Sequence, residues 1–245
     1  MIPKKIHYCW FGRNPLPDSA LKCIASWRRF FPDYEIIEWN EDNFDVNSIP
    51  YTAQAYEAKK YAFVSDYARF KILYEHGGLY FDTDVEVIRP MYDIIARGPF
   101  MGFELDSNND KVGEVAPGLG LGAEAGMTFY NRIIEAYGLL SFKNADGTLN
   151  QKTIVKYNSE LLGEYGLSAK PGIQKVAGLT IYPSEYFNPL DDLTGRLNVT
   201  PNTRSIHWFT KTWLNVSPWR QHLSRLAHRL FGVNAFSKIR KIIRK

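Results

Sequence analysis

The stretch from Tyr61 to Val87 constrains this chain more than any other, because it reads as a helix, a stop, and a strand that ends in two carboxylates. Phe63, Tyr67, Phe70 and Tyr74 recur at intervals of four, three and four, which makes one helical face apolar. Ala62, Val64, Ala68, Ile72 and Leu73 widen that face until the helix is mostly buried. Asp66 and Arg69 interrupt it; three residues apart, they are neighbours that can pair or reach one site. Gly77 supplies a helix stop, and Gly78 allows a tight reversal.

From Leu79 the spacing predicts a strand that carries Asp82 and Asp84 on one face. Two unpartnered carboxylates side by side repel, and a divalent cation removes that repulsion. Oxygen donors suit hard ions such as Mg²⁺ or Mn²⁺, which keep waters and share positions with a substrate's phosphates. Ligands of open α/β sheets sit beyond the carboxyl ends of strands, so the position fits a metal–phosphate site.

Ala62, Ser65-Asp66, Arg69, Leu73, Gly77-Gly78, Tyr80, Asp82 and Asp84 also match the pattern A-x-x-S-D-x-x-R-x-x-x-L-x-x-x-G-G-x-Y-x-D-x-D. In this the chain resembles the DXD-containing sugar transferases of capsular polysaccharide synthesis. Fungal initiating α-1,6-mannosyltransferases and the glucosylating domains of large clostridial toxins share the pattern more distantly. A bare Asp-x-Asp occurs by chance; the whole pattern is far more specific. Ile2 to Gly12, Trp39-Asn40, Ile181 to Pro189 and Ser205 to Trp213 extend the resemblance, with a weakly matched middle. The family's His-His-Trp is reduced here to His207-Trp208, and Thr212 precedes Trp213 where Ser is common.

The resemblance implies an α/β fold, a GT-A-type, Rossmann-like single domain with a mostly parallel central sheet flanked by helices. It also implies roles. Trp10 matches the aromatic that flanks the donor's base, Asp66 and Arg69 match positions that contact its ribose and sugar, and Tyr80 matches one beside the donor. His207 matches the late His that joins Asp82 and Asp84 as a cation ligand. Asp84, Asp82 and Arg69 are the expected catalytic set, and Glu104, Asp106 and Trp213 the candidates for placing the acceptor.

Other segments support an alternating architecture. Lys5 to Phe11 reads as a strand, Asp18 or Ser19 caps a helix to about Phe30 with Leu21, Ile24, Ala25 and Trp27 as its apolar face, and Tyr34 to Trp39 reads as a second strand. That order starts a parallel sheet. Pro99 to Glu104 is a further strand, and Leu105 to Gly126, rich in Gly, Asn and Asp, is expected as a long binding loop facing the acceptor. Helices are expected near Met127–Leu140 and Thr153–Tyr165.

The overall charge of +4 misleads. Residues 220–245 hold eight Lys or Arg and no acid, which leaves 22 basic against 26 acidic residues, a net of −4, in residues 1–219. A nucleic-acid-binding body is therefore not expected. The tail is amphipathic, with Leu223, Leu226, Ala227 and Leu230 at helical spacing, and suits an anionic membrane surface. We divide the chain at 219 into a transferase domain and this tail. Cys9 and Cys23 lack metal or redox spacing and read as reduced core thiols. Together these features place the chain in the cytoplasm, peripheral at the inner face of the membrane.

The expected activity is metal-dependent, retaining transfer of a hexose from a nucleotide diphosphate sugar to a hydroxyl of a glycan, possibly a lipid-linked one. A UDP-hexose is the first donor candidate and GDP-mannose the second, with Mn²⁺ or Mg²⁺ as cofactor. A catalytically silent sugar-binding module is the alternative of another class. An Asp-nucleophile phosphotransferase fits poorly, since Val85-Glu86 follows the acids instead of Gly-Thr. A glycosidase would need its carboxylates facing each other across the sugar.

Overall fold

The computed structural model describes residues 1–210 together with Arg225, Leu226 and His228. Strand β1 (Lys5–Cys9), helix α1 (Asp18–Phe30) and strand β2 (Glu35–Trp39) make the expected opening unit, with β1 and β2 parallel from Lys5↔Glu35 to Cys9↔Trp39. The buried stripe of α1 is Ala20, Cys23, Ile24 and Trp27. Leu21 and Ala25, expected on that stripe, face solvent instead. Small residues at 20 and 23 let the helix lie close to the sheet and roll Trp27 inward, where its Nε1 donates to the Val85 carbonyl at 2.7 Å.

Helix α2 (Pro50–Glu57) precedes α3 (Tyr61–His76), which buries Phe63, Val64, Tyr67, Ala68, Phe70, Ile72 and Leu73 as its apolar period requires. The stop works sterically. Gly78 has φ +104°, and a Cβ there would lie 2.8 Å from the Lys5 carbonyl oxygen. Strand β3 (Gly78–Tyr80) then slots beside β1 in parallel, with Ile6↔Leu79 and His7↔Tyr80. His7 is fully buried: it accepts from Trp39 Nε1 at Nδ1 (3.0 Å), so Nε2 carries the proton it donates to the Gly77 carbonyl (3.0 Å).

The strand expected to run through Asp82 and Asp84 ends at Tyr80. Phe81 N still donates to the His7 carbonyl, but Asp82 N turns to the Gly118 carbonyl (3.2 Å), and Val85 N closes a turn onto the Asp82 carbonyl (3.0 Å). The chain then leaves the main sheet as β4 (Val85–Val87). That strand pairs antiparallel with β10 (Ser205–His207) in a separate two-stranded sheet. The two acids therefore sit on a turn that joins two sheets.

After the short α4 (Tyr92–Ile95) come β5 (Phe100–Leu105), β6 (Glu114–Ala116) and β7 (Leu121–Ala123). The long loop expected from Leu105 to Gly126 is thus broken by two strands, and β7 sits in mid-sheet between β3 and β5. These strands are three residues long and rich in Gly and Ala, so they carry almost no periodic signal. Helices α5 (Thr128–Gly138) and α6 (Ile154–Glu164) follow as expected, then β8 (Gln174–Val176), β9 (Leu179–Tyr182) and α7 (Ser184–Phe187).

The main sheet has the order β2-β1-β3-β7-β5-β9-β8, with β6 on β5. Strands β2, β1, β3, β5 and β9 point one way, and β7, β8 and β6 run against them. Alternate residues feed two cores. Leu79 and Phe81 join Trp27, Ile94 and Phe187 on one face, while Tyr80 joins Tyr51, Phe70, Tyr130 and Ile154 on the other. Helices thus cover both faces of a mostly parallel α/β sheet, as expected.

Candidate active site

Because β1, β3 and β5 share a direction, their carboxyl ends open on one side of the sheet, where open α/β folds place ligands. A cavity of about 640 Å³ lies there, lined by Trp10 after β1, Asp82 and Asp84 after β3, and Glu104 near the end of β5. Asp66 and Arg69 of α3, the start of α6, Gly118 and His207 complete its wall. The volume falls in the range of roughly 300–1,000 Å³ usual for small-molecule sites.

Arg69 is the buried charge around which one half of the site is built; only 4% of it is exposed. Its Nε donates to the Ser65 carbonyl (3.1 Å), one turn back on α3. Nη2 pairs with Asp66 Oδ1 (3.1 Å) and Asp82 Oδ1 (3.3 Å), and Nη1 donates to Asp82 Oδ2 (3.4 Å). The guanidinium also lies 5.0 Å from the centre of the Tyr80 ring, whose hydroxyl donates to Asp82 Oδ1 (3.2 Å). Burial pushes Asp66 up to about 7 against the pull of Arg69. Burial also raises Asp82, again opposed by Arg69, and the negative charge of Asp84 adds to the rise. For Arg69 itself burial disfavours the cation, but Asp82, Tyr80 and Asp66 outweigh it and the group stays protonated.

The other half pairs Asp84 with His207. His207 Nε2 lies 3.1 Å from Asp84 Oδ1, and Thr210 donates to Oδ2 through its backbone N (2.9 Å) and hydroxyl (3.1 Å). Trp208 N donates to the Asp84 carbonyl (3.0 Å). Burial opposes ionisation of Asp84, but His207 and these donors hold it at about 2. Burial likewise works against the imidazolium, and Asp84 overcomes it, so His207 is raised. Each acid of the Asp-x-Asp thus has its own cationic partner.

Among the described residues no three His, Cys, Asp or Glu side chains already converge as a closed metal cluster. What the turn does offer is two carboxylates facing a cavity, with an imidazole against one of them. A Cβ added to Gly118 would fall 1.9 Å from Asp82 Oδ2, so that acid is seated against bare backbone. His207 Nδ1 is buried with no hydrogen-bond partner among the described residues. This donor set fits a hard cation that takes few protein ligands and completes its shell with waters and substrate oxygens.

The remaining expected residues divide clearly. Trp10 lines the cavity, its Nε1 tied to the Asn14 carbonyl (2.6 Å), and Glu104 lines it as well. Tyr80, expected beside the donor, is fully buried beneath Asp82 and Arg69 and does not reach the cavity wall. Asp106, expected near the acceptor, lies outside the cavity; both its oxygens accept from Ser184, N (2.8 Å) and Oγ (2.7 Å), at the start of α7. Trp213 and most of the tail lie outside the described residues. Sequence reasoning missed Gly118 and Thr210. Only the crowding of glycines around Gly118 hinted at the first, and the second lies in the closing segment Ser205 to Trp213, where no role was assigned to it.

Residues 17–101 match the family described as the glycosyltransferase sugar-binding region containing a DXD motif. This match covers about a third of the chain, 85 of its 245 residues. The DXD region spans Asp66, Arg69, Asp82 and Asp84, whereas Trp10, Glu104 and His207 lie outside it. Among curated proteins, the chain is similar to inositol phosphoceramide mannosyltransferase 1 of Schizosaccharomyces pombe, 28% identical over 41% of this chain and 33% of that protein. It is also similar to the subversion of eukaryotic traffic protein A of Legionella pneumophila, 26% identical over 84% of this chain and 34% of that protein. The chain thus spans about a third of the length of these relatives. A solved structure of the galactosyltransferase LgtC with donor and acceptor sugar analogues aligns at TM-score 0.46 and 16% identity, over 95% of each chain.

Proposed function

We propose that this protein is a metal-dependent glycosyltransferase that moves a hexose from a nucleotide diphosphate sugar to a hydroxyl of a glycan acceptor. The observation that carries this reading is the turn of the DXD region, which presents Asp82 and Asp84 to a cavity at the carboxyl ends of β1, β3 and β5. In this reading Trp10 stacks on the base, and Asp66 and Arg69 meet the ribose and sugar. Asp82, Asp84 and His207 would hold Mn²⁺ or Mg²⁺, which supplies Lewis-acid stabilisation of charge on the departing diphosphate.

The chain's own residues do the rest. Arg69, already balanced by two carboxylates, opposes the rise that burial imposes on Asp82 and pairs with that carboxylate at the cavity wall. His207 and Thr210 orient Asp84 until the donor arrives. Glu104, at the carboxyl end of β5, faces the same space and positions the attacking hydroxyl. Anomeric retention, a UDP-hexose as first donor and GDP-mannose as second, and a lipid-linked acceptor complete the proposal. The test is a panel of nucleotide sugars incubated with the full chain, with and without Mn²⁺. Metal-stimulated release of nucleoside diphosphate from one donor is expected. Tight donor binding with no turnover on any acceptor would establish the silent-module alternative instead.

A further inference from the structure

The loop that follows β1 carries one wall of the cavity. Trp10, Phe11, Asn14 and Pro15 all line it, and Tyr61, the first residue of α3, lines it beside them. Two bonds fix the backbone and ring edge of Trp10: its N donates to the Trp39 carbonyl (2.8 Å) and its Nε1 to the Asn14 carbonyl (2.6 Å). Between Trp10 and Asn14 the chain turns through two left-handed residues, Gly12 at φ +97° and Arg13 at φ +56°. Arginine rarely adopts that conformation, so the turn is held by its surroundings and not by its own preference.

Three contacts hold it. A Cβ on Gly12 would lie 2.4 Å from Tyr61 Cε2, so the Gly12 backbone sits directly against the Tyr61 ring. Outside, Arg13 Nη2 pairs with Asp42 Oδ1 at 2.8 Å, but both side chains are mostly exposed and such pairs hold a loop weakly. Inside, Glu41 Oε1 accepts from Gly12 N (2.6 Å) and from the Tyr56 hydroxyl (2.7 Å). Tyr56 belongs to α2, and its ring centre is 5.3 Å from that of Tyr61. Burial opposes ionisation of Glu41, yet the Gly12 N–H and the Tyr56 hydroxyl hold its carboxyl below the usual value, so both bonds are charge-assisted. One carboxylate thus joins the loop after β1, the end of α2 and, through the two tyrosines, the start of α3.

We infer that Glu41, two residues past the end of β2, is a positioning residue for the nucleoside end of the donor: through Gly12 and Tyr56 it fixes the wall on which Trp10 meets the base. The inference rests on the proposed donor site. Glu41 is not itself part of the cavity wall, so it acts through the residues it holds. Without its accepting oxygen, the Gly12 N–H and the Tyr56 hydroxyl turn to water and the left-handed turn loses its inner hold. The base must then order the loop as it binds, and that ordering costs affinity.

The test is calorimetric titration of the full chain with UDP, GDP and inorganic pyrophosphate, each with Mn²⁺. Glu41→Ala is expected to weaken binding of the nucleotide that the wild type takes by about tenfold, and to leave binding of pyrophosphate, which has no base, unchanged. Glu41→Gln keeps the accepting oxygen and is expected to restore most of the affinity. Unchanged nucleotide affinity in Glu41→Ala would overturn the inference. So would an equal loss for pyrophosphate, or a Glu41→Gln variant as weak as Glu41→Ala. Binding of neither nucleotide by the wild type would overturn the transferase reading and this inference with it, whereas the preceding outcomes overturn this inference alone. Hydrogen exchange at the Gly12 amide gives a readout that needs no ligand. It is expected to quicken in Glu41→Ala and to return toward the wild-type rate in Glu41→Gln; an unchanged rate in Glu41→Ala would show that Glu41 does not hold the loop.

Discussion

His207 Nε2 and Asp84 Oδ1 lie 3.1 Å apart, joined across a chain separation that no local pattern spans. The register of the two-stranded sheet brings them together, since His207 pairs with Val85, the neighbour of Asp84. Asp84→Asn keeps an acceptor for Thr210 and removes the charge that a cation needs. We expect the fold to persist and metal-stimulated donor hydrolysis to fall by roughly a hundredfold or more. Full activity in this variant would remove Asp84 from the mechanism.

Arg69 balances two buried carboxylates, so deleting it costs more than one contact. Arg69→Met leaves Asp66 and Asp82 without their cation and is expected to destabilise the protein by about 3–5 kcal/mol. Adding Asp66→Asn and Asp82→Asn should return much of that loss, because the uncompensated charge is gone. Urea unfolding of the single and triple variants measures the coupling.

Gly118 gives a steric prediction. Its Cβ would collide with Asp82 Oδ2 at 1.9 Å, while its backbone does not need a positive φ. Gly118→Ala is therefore expected to cost about 1–3 kcal/mol by overpacking and to displace the Asp82 carboxylate. A Mn²⁺ titration followed by calorimetry should show weakened binding; unchanged affinity would mean that Asp82 adjusts freely.

His7 sets a pH dependence. Burial, partly offset by its bond to Gly77, lowers it from 6.5 to about 4, so the folded chain holds it neutral where the unfolded chain protonates it. Between those values the unfolded state binds more protons, and stability falls as pH falls. The contribution is about 3 kcal/mol across the window, complete above pH 6.5 and lost near pH 4. In His7→Gln the fall in chemical-denaturation stability over this window should be flatter by that amount.

Much of the scaffold is legible in local pattern. The apolar period of α3, its glycine stop, and the opening strand–helix–strand can be read because each is specified within a few turns of chain. The inward stripe of α1 was misplaced since Leu21 is more apolar than Ala20 or Cys23, yet close helix–sheet packing selects the small residues. Strand β7 was missed because mid-sheet burial, not propensity, makes Leu-Gly-Ala a strand.

By itself the sequence determined that a buried helix bearing Asp66 and Arg69 stops at two glycines, and that two acids follow closely. Only the tertiary structure decided that the acids ride a turn between two sheets, that Tyr80 supports them from below, and that Thr210 and His207 close on Asp84. The physical reason is range. A helix or a glycine stop is settled by neighbours along the chain, whereas the state of a carboxylate depends on which charges and donors the fold brings within about 3–4 Å.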